Sequence, residues 1–203
     1  MARTQAQRSA ATQQALLAAA RRLWGERGYA AVSTPEIAKV AGVTRGAMYH
    51  QYPDKATLFL AVLEAVETDV IERLSAAVVA KRPKTPASAL RISADAWLDI
   101  ASEPEVRQLV LLDAPSILGW AGFREISSRY GLGMTEQLLT AAIDAGELEP
   151  QPTRPLATVM IGALDEAAMS IANADDPEQE KTDVRQVIHN IIDGLLAKPS
   201  RPG

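Results

Sequence analysis

The chain has 203 residues, 47% of them hydrophobic, with no cysteine and a net charge of −4. That length accommodates one large domain or two small ones. The lack of cysteine excludes disulfides, thiolate nucleophiles and zinc–cysteine sites, and fits a reducing cytoplasm. No apolar run approaches the ~20 residues that span a bilayer, and the polar stretch Met1–Gln14 lacks the apolar core of a signal peptide. A cytoplasmic protein with no membrane partner is therefore expected. Residues 1–8, with Arg3 and Arg8 among Gln and Thr, read as a mobile arm. A first helix is predicted over residues 9–26, with Leu16, Ala19, Ala20, Leu23 and Trp24 as its apolar stripe and Arg27-Gly28 as its end.

Residues 33–55 read as two short helices joined by a tight turn, the geometry that places a second helix in the DNA major groove. Thr34 is expected to cap the first of them, with Pro35 at a position where a missing N–H is harmless. Ile37, Ala38 and Ala41 share an inward face. Gly42 supplies the turn, because positive φ costs glycine nothing. Val43 fills the space between the helices, and Thr44 caps the second helix, which starts at Arg45. Gly46 and Ala47 are small enough for close approach to a groove. Arg45 can pair with a guanine edge or a phosphate. Tyr49, His50 and Tyr52 offer hydroxyl and imidazole groups to phosphates and thymine methyls. Met48 faces the other way, into the packing. Lys55, just past the helix, is a candidate phosphate contact. The bland alternative is a helical hairpin whose polar face merely meets water.

Charge distribution favours the DNA reading. Residues 1–55 carry eight basic and three acidic residues, a net of +5, which leaves −9 for the remainder. A positive head on an acidic body confines attraction for phosphates to the head.

A long helix is predicted over residues 54–81, with Leu58, Phe59, Val62, Val66, Val70 and Leu74 at helical spacing. Lys81 to Pro86, with two prolines and three positive charges, breaks the chain. Every later segment also reads helical: 86–101, 104–113, 115–145 with a possible division near Gly119–Phe123, 153–173, and 177–197 capped by Asp176. The expected fold is all-α, with a DNA-binding head over residues 1–55 and a helical body over residues 56–203.

The head resembles the tetracycline-repressor (TetR) family of bacterial transcriptional regulators. The resemblance rests on Leu23-Trp24-Gly25-Glu26-Arg27-Gly28-Tyr29, on Thr34 to Ala38, on Ala41-Gly42-Val43, on Gly46, Tyr49 and Tyr52, and on Asp54, Lys55, Leu58 and Phe59. It covers roughly residues 10–60. Gln51, where histidine is common, and Pro53 depart from the usual pattern. The resemblance implies a transcriptional repressor that binds a palindromic DNA operator as a homodimer, through Thr34, Thr44, Arg45, Gly46, Ala47, Tyr49, His50, Tyr52 and Lys55. It further implies release by a small-molecule effector held in the body. An activator, or a DNA-binding protein of the same fold without a ligand, is the alternative.

Body candidates come from composition. Trp97, Leu112, Asp113, Trp120, Phe123, Tyr130, Met134 and Met160 are the candidate ligand contacts; ordinary core packing is the competing reading for each. Asp113 beside Pro115 also reads as a helix cap. Met160, Leu164, Ala167, Val184, Ile188, Ile191 and Leu195 on the last two helices are candidates for a four-helix dimer interface, or for packing within one chain. His189 reads as structural. No catalytic residues are assigned. There is no His-Glu-x-x-His, Gly-x-Ser-x-Gly or phosphate-binding glycine loop, and Gly131-Leu132-Gly133 fails the dinucleotide pattern. No metal and no cofactor are expected, and an all-α enzyme is the weakest alternative.

Overall fold

The computed structural model describes residues 5–196. It is all-α: among the described residues there is no strand, only an isolated bridge between Leu148 and Leu196. In order come α1 (Gln5–Arg27), α2 (Thr34–Val40), α3 (Arg45–Gln51), α4 (Lys55–Lys81), α5 (Pro86–Ala101) and the short α6 (Pro104–Val106). α6 widens into a π-helix over Arg107–Asp113. Then follow α7 (Ala114–Ser127), a second π-helical stretch (Ser128–Leu132), α8 (Gly133–Asp144), α9 (Thr153–Asn173) and α10 (Pro177–Leu195).

The breaks fall where local chemistry demands them. Asp54 Oδ1 accepts from Thr57 N at 2.7 Å and starts α4. Thr85 and Ser88 form a reciprocal capping box at α5, and Asp176 caps α10 as expected. The segment 115–145 divides at Gly119, within the expected range Gly119–Phe123; the Gly119 φ of 67° is outside helical space. The expected arm is shorter than predicted: residues 5–8 already belong to α1, and Arg3 lies outside the described residues, as does position 197 of the last predicted helix.

Contacts do not divide the chain at residue 55. One compact unit comprises residues 1–67 with 103–123, and the other residues 68–102 with 124–203. In the first unit, Leu16, Ala20, Trp24, Ile37, Met48, Leu58, Phe59 and Leu63 are buried together with Val106 and Leu109. The segment 103–123 belongs there because polar bonds pin it. Arg21 grips Glu105 with two hydrogen bonds of 2.9 and 2.8 Å, and Asp113 accepts from the backbone N–H of Tyr29 at 2.8 Å.

The second unit packs Leu90, Ala94, Leu139, Ala142, Leu148, Ala157, Met160, Ile188 and Ile192 into one core. α5 and α10 are also joined by charge. Asp99 pairs with Lys181 and Arg185, His189 Nε2 lies 2.9 Å from Asp95, and Arg91 pairs with Asp193. His189 is thus held inside the unit. Among the described residues one helix, Thr153–Asn173, is long and apolar enough, by length and composition alone, to cross a membrane. Asp165 and Glu166 interrupt its apolar stretch, and few of its residues are buried.

Candidate nucleic-acid interface

α2 and α3 form a compact helix-turn-helix. Gly42 sits between them with φ 68°, the left-handed turn that its lack of Cβ permits. Ile37, Ala38 and Met48 seal the inner faces. Thr44 caps α3, accepting from Ala47 N at 3.1 Å. At α2 the cap is Ser33, not Thr34: Ser33 Oγ accepts from Glu36 N at 3.4 Å. Adjacent Ser and Thr offer two possible caps, and the chain enters helical geometry one residue earlier than expected.

This shift frees the Thr34 hydroxyl for another partner. Thr34 Oγ1 and Tyr49 Oη share a hydrogen bond of 3.1 Å. The Arg45 guanidinium lies 5.7 Å from the Tyr49 ring centre, within the range of a cation–π contact. Thr34's hydrogen bond and the nearby Arg45 charge hold the Tyr49 phenol below its usual range. Thr44, Arg45, Gly46, Tyr49 and His50 are all exposed on α3, and Ala47 is half-buried. Thr34, Tyr49 and Lys55 line an open groove of about 460 Å³ beside the helix.

Two candidates sit differently from expectation. Tyr52 is buried, 4% exposed. It follows Met48 by one helical turn and shares its inward face, so it packs the head. The Lys55 ammonium points back, donating to the Tyr29 carbonyl at 2.6 Å and lying 3.9 Å from the Tyr29 ring centre. Burial lowers its pKa, while the Asp113 charge acts in the opposite direction. Lys55 therefore braces the turn before α2. Gln51, which departs from the usual pattern, donates to Ser9 Oγ at 2.9 Å and ties the end of α3 to α1.

The N-terminal part, residues 16–62, matches the model of bacterial regulatory proteins of the tetR family. Residues 87–195 match the tetracyclin repressor-like C-terminal domain. The chain belongs to the TetR family of transcriptional regulators. It is 43% identical over 91 residues to the HTH-type transcriptional regulator AcrR of Shigella flexneri, a match covering 45% of this chain and 42% of that protein. It is 28% identical over 171 residues to the transposon Tn10 TetC protein of Escherichia coli, covering 84% and 85% of the two chains. The crystal structure of a TetR-family regulator from Pectobacterium atrosepticum superposes with a TM-score of 0.81 at 34% identity, over 97% of this chain and 100% of that one.

In this TetR-family regulator the eight candidate ligand contacts are divided between the two units. Leu112, Asp113, Trp120 and Phe123 belong to the first unit, and Trp97, Tyr130, Met134 and Met160 to the second. Leu112 and Trp120 are exposed, at 39% and 73%. Phe123 is buried, and Met160 is part of the second unit's core. Met134 Sδ lies 3.7 Å from Ser75 Oγ, and Trp97 carries a buried indole N–H with no hydrogen-bond partner. Asp113 is not a helix cap: the chain remains helical through it, and its carboxylate serves Tyr29.

A residue that the sequence did not single out is Asp165, on α9. Burial pushes its carboxyl up to about 7, and Arg124 pulls the other way.

The regulator's interface candidates also separate. Met160 and Ile188 point inward, and Leu164, Ala167, Val184 and Leu195 pack against that core. Ile191 is 48% exposed. The outward apolar residues beside it are Val159, 68% exposed, and Val187, 55% exposed. Gly162, Ala163 and Gly194 are exposed on the same two helices.

Proposed function

We propose that this regulator is a ligand-responsive repressor that binds a palindromic operator as a homodimer. The observation that carries the reading is the outward face of α3: Thr44, Arg45, Gly46, Tyr49 and His50, exposed together and oriented by the Thr34–Tyr49 bond. A single recognition helix brings only a few side chains to base edges, so one copy has little to discriminate with. Two copies related by a two-fold axis read successive major grooves about 34–36 Å apart.

The exposed stripes of α9 (Val159, Gly162, Ala163) and α10 (Val187, Ile191, Gly194) support the second copy. Small residues beside branched ones let helices approach closely, and pairing two copies would make a four-helix interface. Release by an apolar or aromatic effector remains part of the proposal. Such an effector must prefer the form that does not fit DNA, since equal binding to both forms shifts nothing. The family models are those of regulatory proteins, which supports a regulator over an enzyme.

The test is selection of bound duplexes from a random-sequence library by the full chain, with its mass in solution measured by light scattering. Enrichment of an inverted repeat by a dimer is expected. Equal retention of all sequences, or tight binding by a monomer, would overturn the proposal.

A further inference from the structure

Tyr29 lies in the connection between α1 and α2, and its ring, carbonyl and N–H are all engaged. Its ring packs against Trp24 and Phe59 with centroids 5.4 and 5.2 Å away. Its carbonyl accepts from Lys55, on α4. Its N–H, left over beyond the end of α1, donates to Asp113 Oδ2 at 2.8 Å. Gly28, with φ 78°, lets the chain approach here: a Cβ would meet Gln108 Nε2 at 3.0 Å and Asp113 Oδ1 at 3.9 Å. The same connection runs on through Ala30 to Thr34 as one wall of the groove that Tyr49 faces.

The π-helix explains how Asp113 reaches this turn. Glu105 and Asp113 are eight residues apart, and in α-helical register they would lie about 80° apart around the axis. The i→i+5 bonding of Arg107–Asp113 takes up more residues per turn and removes most of that offset. Both carboxylates then face α1 and the connection after it, where Arg21 and Tyr29 receive them.

We propose that Asp113 is a positioning residue for DNA recognition, acting through the backbone of Tyr29 to fix the entry into α2 and hence the Thr34–Tyr49 pair. This rests on the operator-binding reading above. What matters is the placement of an acceptor oxygen, not the charge. Asn in place of Asp keeps an acceptor at the same reach. Glu keeps the charge but moves the oxygens by one methylene.

The experiment uses the full chain and an operator duplex selected by the wild type. Operator affinity is followed by fluorescence anisotropy and protection of the Tyr29 amide by hydrogen exchange. Asp113→Asn is expected to bind within about threefold of wild type with the amide protected. Asp113→Glu and Asp113→Ala are expected to bind at least tenfold more weakly with the amide exposed, at melting temperatures close to that of the wild type. The opposite order, with Glu retained and Asn weakened, marks charge as the cause and overturns the proposal; so does equal binding by all variants. If the wild type enriches no duplex, the operator reading itself fails and this inference fails with it.

Discussion

Thr34 Oγ1 and Tyr49 Oη meet at 3.1 Å, joining the start of α2 to the exposed face of α3. This bond fixes the direction of a phenol that would otherwise rotate freely in solvent. Tyr49→Phe and Thr34→Val are each expected to weaken operator binding by about 0.5–1.5 kcal/mol, the net worth of one hydrogen bond. The double variant should cost less than the sum, because both changes remove the same contact. Titration of the selected duplex with the four proteins gives the coupling directly. Full additivity would show that the two hydroxyls act separately.

Arg45 is the exposed cation at the start of the recognition helix. Arg45→Ala is expected to reduce discrimination between operator and scrambled duplex by about 1–3 kcal/mol if its contact is bidentate to guanine. An equal loss on both duplexes, with a salt slope shallower by about one unit, would make it a phosphate contact instead.

The two isoleucines of α10 separate assembly from folding. Ile191 is 48% exposed and Ile188 only 7%. Ile191→Glu or Val187→Glu should give a folded monomer with lost operator binding. Ile188→Glu should instead lower the melting temperature sharply, because it buries an unpaired charge. Sedimentation and thermal melting distinguish the two results, and a dimeric Ile191→Glu protein would remove this face from the interface.

Asp165 predicts a pH dependence. Its folded value, about 7, lies above the ordinary 3.8, so the folded chain holds a proton that the unfolded chain gives up. The associated stability is present below pH about 4 and is lost as pH rises to about 7. Asp165→Asn removes the charge that burial penalises. It should raise the melting temperature at pH 8 by about 2–4 °C or more and change little at pH 4. The same gain at both values would contradict a buried, proton-holding carboxyl.

Much of the head was legible because its determinants are local. Gly42, the Thr44 cap and the inward Met48 all follow from neighbours within one turn. Tyr52 repeats Met48 one turn later and packs with it, but its hydroxyl suggested a phosphate contact and its burial was not read. Lys55 and Asp113 were not legible. Both serve Tyr29, 26 and 84 residues away in sequence, and no periodicity reports such a pairing. On α9 and α10 the apolar stripes were evident, but Val159 beside Met160, and Val187 beside Ile188, are adjacent apolar pairs. Only packing decides which member faces out.

The first compact unit is built from two separate stretches, residues 1–67 and 103–123. During synthesis, α1 to α3 leave the ribosome well before Glu105 and Asp113 exist. Val106 and Leu109, which belong to the same core, also arrive late. Domains fold as units as the chain emerges, so the DNA-reading end, although made first, cannot complete its packing until residues 68–102 have followed it out. A nascent chain arrested near residue 70 would carry every residue of the recognition helix and still lack the acceptor for the Tyr29 amide.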